Sequence, residues 1–275
     1  MLFAETLVLV RGAGDLATGA IYRLHQAGFP LIAAETPQPL AVRRTVAFAQ
    51  AVYAGAHTVE GMTAVRVDDP AAALAMACRG DLPILPDPRD EVIPLLRPVV
   101  LVDARLLKRA DAARRDQAPL VIGLGPGFEA GRNCHAAIET KRGHRLGRVL
   151  WQGATEADTG IPGEIGGFGP ERLLRAPIAG IWRPLVEFGE RVEAGQVVGS
   201  IEADGASQAV ASPLAGIVRG LLHPGLAVEP GVKLGDIDPR PDPDAIYTIS
   251  DKSLAIGGAI LAAVLAWLNR RPGEW

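Results

Sequence analysis

A glycine-rich segment near the amino terminus has the spacing of a turn that binds phosphate. Residues 11–19, RGAGDLATG, contain the pattern Gly12-x-Gly14-x-x-Ala17, and Glu35 follows 21 residues after Gly14, where an acid that binds ribose is expected. Glycine permits a tight turn and a close approach of backbone N–H groups to a phosphate, and the amino terminus of a helix favours an anion. The residues predicted to bind a cofactor here are Gly12, Gly14, Asp15, Thr18 and Glu35.

Two further interpretations of this segment remain open. The glycines could form a turn whose only purpose is to pack a strand against a helix. The Asp15 carboxylate could cap the helix or repel a phosphate, and either effect would weaken anion binding at the same turn.

A second glycine-rich turn, GLGPG, covers residues 123–127 and follows the apolar run 120–122. Each of the two glycine turns thus follows a predicted buried strand. Ligands of open parallel sheets lie beyond the carboxyl ends of the strands, so both turns are expected to face one crevice. The cofactor-binding residues predicted in this second turn are Gly123, Gly125 and Gly127.

Cys134 and His135 are the residues predicted to be catalytic. A cysteine beside a histidine and near cations can have a lowered pKa and can act as a nucleophile or as a carrier of sulfur. The alternative stays open, because adjacent residues of a strand point to opposite faces and a lone cysteine is usually an inert core residue. A zinc site formed by Cys134, His135 and His144 lacks a fourth ligand, and we expect no metal.

The region around this pair is rich in glycine and in polar residues. Twelve of the 47 residues from 123 to 169 are glycines, and the region includes NCHAAIETKRGH (133–144) and TGIPGEIGGFG (159–169). Such a long span with few apolar residues is typical of a binding loop. Its other polar candidates are Glu139, Lys141, Arg142, His144 and Glu164. Arg142, Arg145 and Arg148 form either a solvated face or an anion site.

The composition is that of a folded protein with many turns. The chain has 275 residues, of which 48% are hydrophobic, and it contains 32 glycines and 22 prolines. So much glycine and proline argues against a helical bundle. A formal net charge of −3 argues against a nucleic-acid partner, and two cysteines form no disulfide framework. We therefore expect a cytoplasmic protein that does not bind nucleic acid.

Both ends of the chain bear on targeting. The first residues carry no basic region before their apolar stretch, so we expect no signal peptide. Residues 254–268 are apolar over 15 positions, which is short of the ~18–20 residues of a membrane span, and they include a Gly-Gly pair. We predict a buried or interfacial helix and no membrane span.

Short apolar runs alternate with helical stretches in the first half of the chain. The predicted strands are 6–10, 31–34, 83–85, 99–102 and 120–122. Helices are predicted after the first glycine turn, as far as residue 27, and at 71–77. Continuous apolar strands separated by helices predict an α/β fold with a Rossmann-like parallel sheet.

The last third of the chain contains an internal repeat. Residues 175–199 match residues 211–235 at 11 of 25 positions, and both copies contain the pattern G-x-x-V-x-x-G. The repeat resembles the biotinyl/lipoyl carrier fold, a flattened β barrel with two similar halves. In such carriers the hairpin between the halves presents a lysine that is modified, but residues 201–210 contain none, and the nearest is Lys233. We therefore predict a small all-β barrel-sandwich hybrid domain without a covalently attached group.

These features divide the chain into three parts. We predict a Rossmann-like domain with glycine-rich loops at 1–170, a biotinyl/lipoyl-like barrel-sandwich hybrid module at 171–241, and a C-terminal helical segment at 242–275. The C-terminal helix is expected to pack back on the first domain.

Several blocks together resemble one protein family along nearly the whole chain. They are residues 11–19, 41–65, 123–147, 159–167 and 249–258, the last with the sequence ISDKSLAIGG. In these blocks the chain is similar to the accessory proteins of selenium-dependent molybdenum hydroxylase systems. Its first part is also similar in outline to the Rossmann-like domain of the xanthine dehydrogenase accessory factors.

The resemblance implies a maturation factor for molybdenum hydroxylases, which handles the molybdopterin cofactor or installs its selenium or sulfur ligand. It implies Cys134 as a chalcogen carrier and a molybdopterin dinucleotide or another nucleotide at residues 12–19. The implied partner is the molybdenum hydroxylase apoenzyme, and a homo-oligomer is a further expectation.

Two other functions stay open on the sequence. An NAD(P)-dependent oxidoreductase is favoured by the first glycine turn and Glu35, although no acid–base pair for hydride transfer is evident. A non-catalytic scaffold or chaperone for a molybdoenzyme would use the glycine turns for packing alone.

Overall fold

A computed structural model describes residues 1–87, 89–107, 114–158, 167–203, 205–240 and 242–270. The chain divides into two compact units: unit 1 comprises Met1–Pro39, Ala47–Thr159 and Ile249–Trp275, and unit 2 comprises Leu40–Val46 and Gly160–Thr248. The segment Leu40–Val46 was not expected in the second unit from the predicted boundaries at 170 and 241. Glu164 and most of the TGIPGEIGGFG block lie outside the described residues.

The chain contains short strands and few long helices. The helices are α1 (Asp15–Gln26), α2 (Ala51–Ala54), α3 (Pro70–Arg79), α4 (Val92–Leu96), α5 (Asp244–Tyr247) and α6 (Asp251–Leu268). The strands of unit 1 are β1 (Val8–Arg11), β2 (Leu31–Glu35), β3 (Ala56–Val59), β4 (Met62–Arg66), β5 (Leu82–Pro86), β6 (Val100–Asp103), β7 (Leu120–Leu124), β8 (Glu129–Ala130), β9 (Ala136–Ile138), β10 (Val149–Leu150) and β11 (Gly153–Ala154). Those of unit 2 are β12 (Leu173–Arg175), β13 (Gly180–Pro184), β14 (Arg191–Val192), β15 (Val197–Ala203), β16 (Ala206–Ala211), β17 (Gly216–Leu221), β18 (Ala227–Val228) and β19 (Lys233–Asp238).

Unit 1 contains one large sheet with the strand order β10-β9-β7-β6-β1-β2-β5-β4-β3. The strands from β9 to β4 in this order run parallel, whereas β10 and β3 run antiparallel to their neighbours. The prediction of a Rossmann-like parallel sheet is wrong in this respect, because the sheet is mixed. Each edge strand is joined directly to its neighbour without a crossover helix, and such a connection reverses the chain direction.

The centre of this sheet is fully apolar. Val8, Leu9 and Val10 of β1 have no exposed surface, and the strands on either side of β1 are buried along most of their length. Successive residues of a strand point to opposite faces, so a continuous apolar run means that both faces are covered. The core thus holds β1 rigidly and fixes the position of the turn that follows it.

Helices α1 and α6 touch through their backbones. A Cβ on Gly19 would lie 2.2 Å from the carbonyl oxygen of Ser253, and one on Gly257 would lie 2.1 Å from the carbonyl oxygen of Gly19. Ser253 Oγ accepts a hydrogen bond from Gly19 N–H at 3.1 Å and donates to the Asp15 carbonyl at 2.6 Å. This contact places the first turns of the two helices side by side.

The segment Asp244–Leu268 is long and apolar enough to cross a membrane by length and composition. One face of α6 is nevertheless buried within unit 1, and it includes Ile256, Ile260 and Val264. A buried face of this kind is typical of a core helix in a soluble protein. The predicted cytoplasmic location remains a prediction.

Unit 2 consists of two four-stranded antiparallel sheets, β12-β19-β17-β14 and β16-β15-β13-β18. The internal repeat explains this arrangement, because β17, β18 and β19 begin 36 residues after β13, β14 and β15. Strand β14 of the first copy pairs with β17 of the second, and β18 of the second pairs with β13 of the first. The two halves thus exchange strands and share one core, around the fully buried Trp182.

Candidate functional site

The carboxyl ends of the parallel strands form one edge of the sheet in unit 1. Strands β1, β2, β6, β7 and β9 end at Arg11, Glu35, Asp103, Leu124 and Ile138. The first glycine turn follows β1 and the second follows β7, so both turns lie on this edge, with β6 between their strands. This edge is where open α/β sheets bind ligands.

The two glycines of the first turn have different roles. Gly12 has a φ of +91°, and backbone atoms of Ala104 and Arg105 lie 3.3 Å from the position that a Cβ would take. Gly12 is therefore required for packing. Gly14 has a φ of −68°, and no atom lies within 4 Å of its Cβ position. Helix α1 begins directly after Gly14 without a side-chain cap, and the space at the Gly14 Cβ position is open.

Glu35 holds the first turn in place. One carboxylate oxygen accepts a hydrogen bond from Ala13 N–H at 2.8 Å, and the other accepts from Thr36 N–H at 2.7 Å. The acid at this position therefore braces the backbone that a phosphate would approach, and its contact with a ribose stays a prediction.

Thr18 does not face the open edge. Its side chain is fully buried, where Oγ1 donates to the Gly14 carbonyl at 3.0 Å and accepts from Phe48 N–H at 3.1 Å. The hydroxyl hydrogen of Thr18 and one of its two acceptor lone pairs thus serve the protein itself, and the predicted ligand contact of Thr18 stays a prediction.

The second glycine turn is shaped by packing. A Cβ on Gly123 would lie 1.9 Å from the Phe128 ring, and one on Gly125 would lie 2.5 Å from Thr140 Oγ1. Gly125 and Gly127 have φ values of +74° and +93°, which only glycine adopts without strain. Phe128 occupies the space beside Gly123, and the predicted ligand contact of Gly123 stays a prediction.

Four charged side chains meet on the carboxyl ends of β1 and β6. Arg11, which is 1% exposed, donates to Asp103 at 3.0 Å and to Asp90 at 2.8 Å. Arg105 donates to the two oxygens of Asp103 at 3.0 and 2.7 Å. Two arginines and two aspartates thus compensate one another, as buried charges require. The strand order reverses between β1 and β6, and the protein's own side chains fill that place. The open space at Gly14 lies beside it, at the start of α1.

Lys252 is a half-buried lysine in the first turn of α6. Burial lowers the pKa of Lys252 below its ordinary value of 10.5, and Arg142 lowers it further. The carboxylates of Asp15, Glu139 and Asp251 oppose this shift only in part. Lys252 is not among the site residues predicted from the sequence. The available signal was a cation at the amino terminus of a helix, where the helix dipole disfavours positive charge.

The segment after β9 is fixed by Glu139, which is 3% exposed. Its carboxylate oxygens accept hydrogen bonds from Lys141 N–H and Glu156 N–H, both at 2.8 Å. The Lys141 ammonium in turn lies 2.7 Å from the Glu156 carboxylate, and Arg142 forms a bidentate pair with Asp251 at 2.7 and 2.8 Å. These contacts tie the segment to the amino terminus of α6, and they hold Glu139 near Lys252.

The remaining polar candidates of this region are exposed. Arg142, Arg145 and Arg148 all lie on the surface, which agrees with a solvated face. His144 is exposed whereas Cys134 is buried, so the three candidate zinc ligands do not converge. In the described part of the chain, no group of three His, Cys, Asp or Glu side chains is placed to hold a metal ion.

Cys134 and His135 lie at the amino end of β9, on the edge opposite the glycine turns. Cys134 has no exposed surface, and burial raises the pKa of its thiol to about 12. His135 Nδ1 accepts a hydrogen bond from Val121 N–H at 2.9 Å, and burial lowers the pKa of this ring. A buried thiol that is protonated at neutral pH is a poor nucleophile. The burial of Cys134 therefore disfavours the predicted catalytic pair, whose role stays a prediction.

Residues 174–237 match the family model described as "Biotin-requiring enzyme", the biotin/lipoyl type. Unit 2 contains a biotinyl/lipoyl-type domain. This part of the predicted fold is confirmed, and the predicted absence of a covalently attached group stays a prediction.

The uncharacterized protein YqeB of Escherichia coli (strain K12) is similar along most of the chain. The two are 46% identical over 264 residues, which cover 96% of this chain and 48% of YqeB. The chain spans about half the length of this curated relative.

Two solved structures show a weak likeness. A succinylglutamate desuccinylase/aspartoacylase from Rhodobacter sphaeroides is 16% identical with a TM-score of 0.29, and an aspartoacylase family protein from Mesorhizobium loti is 13% identical with a TM-score of 0.30. Each match covers 86% of both chains. At these TM-scores the likeness assigns no activity to the present chain.

These findings contradict the predicted function. YqeB is uncharacterized, so the selenium and molybdenum assignments have no support. The predictions of a Rossmann-like domain, a molybdenum hydroxylase maturation factor and an NAD(P)-dependent oxidoreductase are therefore wrong. The geometry gives a physical reason, because Cys134 is too buried to carry a chalcogen and an ion-pair network occupies the ends of β1 and β6.

Proposed function

We propose that unit 1 binds a phosphate-bearing small molecule of the nucleotide class at the first turn of α1, with Lys252 as its cationic contact. The observation that carries this proposal is an uncapped helix start beside open space at Gly14, next to a half-buried lysine. The other two long helices, α3 and α6, are capped by Asp69 and Ser250. An uncapped first turn has backbone N–H groups that can donate to phosphate oxygens.

The local charges favour a ligand with a spread negative charge. Lys252 carries its charge where burial and the α6 dipole disfavour it, so a nearby anion would be attracted to it. Asp15 lies in the first turn of α1 and repels a concentrated dianion. A phosphodiester or pyrophosphate group suits both conditions, and a sugar hydroxyl can donate a hydrogen bond to the Asp15 carboxylate.

Binding is tested with the full chain by thermal shift and calorimetry. The probes are inorganic phosphate, pyrophosphate, AMP, CTP and NAD⁺, each in excess. A ligand present at 100 times its Kd stabilises the folded state by about 2.7 kcal/mol, which raises the Tm by several degrees. If none of the five probes shifts the Tm or gives a binding heat, the proposal is overturned.

The substitution Gly14→Ala is expected to weaken nucleotide binding about tenfold, a loss of ~1.4 kcal/mol, without lowering stability. The backbone of Gly14 suits alanine, and the added methyl group enters only the open space that the ligand would use. Calorimetry gives the affinity, and urea unfolding gives the stability, which should rise by about 0.4–1 kcal/mol. Gly258→Ala is the matched control, because a Cβ at Gly258 also meets no atom within 4 Å. Equal affinities of the Gly14→Ala variant and the wild type would contradict the site.

The substitution Lys252→Met is expected to weaken nucleotide binding and to raise the Tm by a few degrees at neutral pH. In a chain of this size, a Tm change of that size corresponds to a gain of ~1 kcal/mol in the free energy of unfolding. The folded state lowers the pKa of Lys252, so the charged form costs stability at neutral pH. That cost disappears as the pH rises through the lowered pKa towards 10.5. The Tm difference from wild type should therefore narrow as the pH rises towards 10.5. A variant that binds as tightly as wild type would show that Lys252 does not contact the ligand.

A further inference from the structure

Described residues of unit 1 line a second space, open to solvent, beside α4. This cavity has a volume of about 1030 Å³, which is ample for a small organic molecule. Its apolar lining includes Ile93 of α4, Val99 before β6 and Ala118 before β7. An apolar lining of this kind favours a ligand with an apolar body.

Three arginines line the same cavity. They are Arg89, Arg97 and Arg114. Arg89 lies 3.7 Å from Glu91 and Arg114 lies 3.4 Å from Asp116, and both pairs are strongly exposed. Exposed ion pairs contribute about 0–1 kcal/mol to stability. A ligand can therefore bind these guanidinium groups at little cost in lost ion pairing.

The Asp90 carboxylate near these arginines is already compensated. Asp90, which also lines the cavity, accepts hydrogen bonds from Arg11 and Arg105. Among the described residues, the Arg97 guanidinium forms no hydrogen bond or ion pair. The cavity thus combines an apolar lining with cationic groups that lack strong internal partners.

The backbone on both sides of α4 adopts an uncommon conformation. Asp90 has a φ of +60° and Arg97 has a φ of +47°, and both residues line the cavity. An arginine in the left-handed region costs conformational energy that glycine or asparagine would largely avoid. Arg97 adopts this conformation as the residue that ends α4.

We propose that the α4 cavity binds a small organic anion with an apolar or aromatic body, such as an aryl carboxylate or sulfonate. The apolar lining takes the body, and Arg97 donates to the acidic group, with Arg89 and Arg114 nearby. This site is independent of the nucleotide site at α1, because it shares none of the residues Gly14, Asp15 or Lys252.

Two matched fluorescent probes test both parts of this proposal. The anion 8-anilinonaphthalene-1-sulfonate and the neutral N-phenyl-1-naphthylamine share one aromatic body and differ in the sulfonate. With the full chain we expect both to bind, the anion more tightly. Arg97→Asn should weaken the anion about tenfold, the effect of losing one charge-assisted hydrogen bond, and should leave the neutral probe unchanged.

Three further variants make the result specific. Pro94→Trp places a large ring in the cavity from its exposed side and should abolish binding of both probes. Arg79→Asn, an exposed arginine outside the cavity, and Lys252→Met, at the nucleotide site, should change neither probe. The proposal is overturned if the folded wild-type chain does not bind the anion, or if neither Arg97→Asn nor Pro94→Trp reduces its binding.

Discussion

Replacing Gly257 with alanine is expected to lower the free energy of unfolding of unit 1 by about 3 kcal/mol. The new Cβ would lie 2.1 Å from the carbonyl oxygen of Gly19, and a backbone atom cannot turn aside as a flexible side chain can. Helix α6 must therefore move away from α1, and the hydrogen bonds of Ser253 to α1 are lost or stretched.

Urea unfolding followed by circular dichroism at 222 nm measures this effect, because all described helices except α5 belong to unit 1. The neighbouring substitution Gly258→Ala is the control. A Cβ at Gly258 meets no atom within 4 Å, so alanine there should raise stability by about 1 kcal/mol through its helix propensity. If the two variants are equally stable, the helices do not pack at Gly257.

Gly257 and Gly258 show which features of α6 the sequence predicts and which it does not. The apolar run with a Gly-Gly pair correctly predicted a buried helix, but spacing alone could not show that only Gly257 faces a partner. Gly19 was grouped with the glycines of the first turn, whereas it lies inside α1 at the helix crossing. Which glycine makes a close contact depends on a segment more than 200 residues away.

Strands with continuous apolar runs were predicted to within about two residues. Predicted strand 31–34 corresponds to Leu31–Glu35, and predicted strand 120–122 corresponds to Leu120–Leu124. Edge strands such as β3 and β10 were missed, because they are short and their residues are partly exposed. The repeat predicted the barrel of unit 2 well, because both copies contain the same strand–turn pattern. Neither copy can bury its apolar face alone, so the two must pack together.

The candidate site was predictable only where it is local. The turn after β1 and the position of Glu35 follow from one continuous βαβ pattern, but that pattern predicted a ribose contact for Glu35 and not its hydrogen bond with Ala13 N–H. Arg11 and its partners Asp90 and Asp103 are separated by 79 and 92 residues, so no spacing rule connects them. Lys252 lies near the candidate site at the first turn of α1 only because α6 packs against α1. The raised pKa of Cys134 was not predictable, because the neighbouring residues in the sequence do not reveal burial and burial decides the pKa of this thiol.

Replacing Asp236 with asparagine is expected to lower the free energy of unfolding of unit 2 by about 3–5 kcal/mol. Asp236 and Arg172 are both buried, with Arg172 Nη1 2.5 Å from each carboxylate oxygen, and Lys233 Nζ lies 3.0 Å away. Removing the carboxylate charge deprives the buried guanidinium of Arg172 of the Asp236 counter-charge. Weakening the charge compensation of a buried ion costs far more than a surface pair contributes.

Fluorescence of Trp182 reports this transition, because the chain has four tryptophans and unit 2 contains just this one in its sequence. The measurement uses a background in which Trp151, Trp267 and Trp275 are replaced by phenylalanine. Glu202→Gln is the matched control, since the Arg183–Glu202 pair of the same unit is about half exposed on both sides. Its effect should stay within about 0.5 kcal/mol.

The pH dependence gives an independent check on the same pair. Burial alone would raise the pKa of Asp236, but Lys233 and Arg172 together lower it below its ordinary value of 3.8. A lowered pKa means that the stabilisation is complete above the unfolded pKa and is lost as the pH falls through the lower folded value. The wild-type barrel should thus lose stability below about pH 4, and the Asp236→Asn variant should lose less over the same range.

A double substitution separates the charge from the packing. Replacing Arg172 with methionine and Asp236 with leucine removes both charges together, so no buried ion is left without a partner. Apolar replacement of buried ion pairs is often neutral or stabilising, and the double variant should recover most of the stability that Asp236→Asn loses. Lys233 is partly exposed and can turn its ammonium to solvent, so it does not block this recovery. A double variant that is as unstable as Asp236→Asn would show that the carboxylate stabilises unit 2 by its shape and hydrogen bonds rather than by its charge.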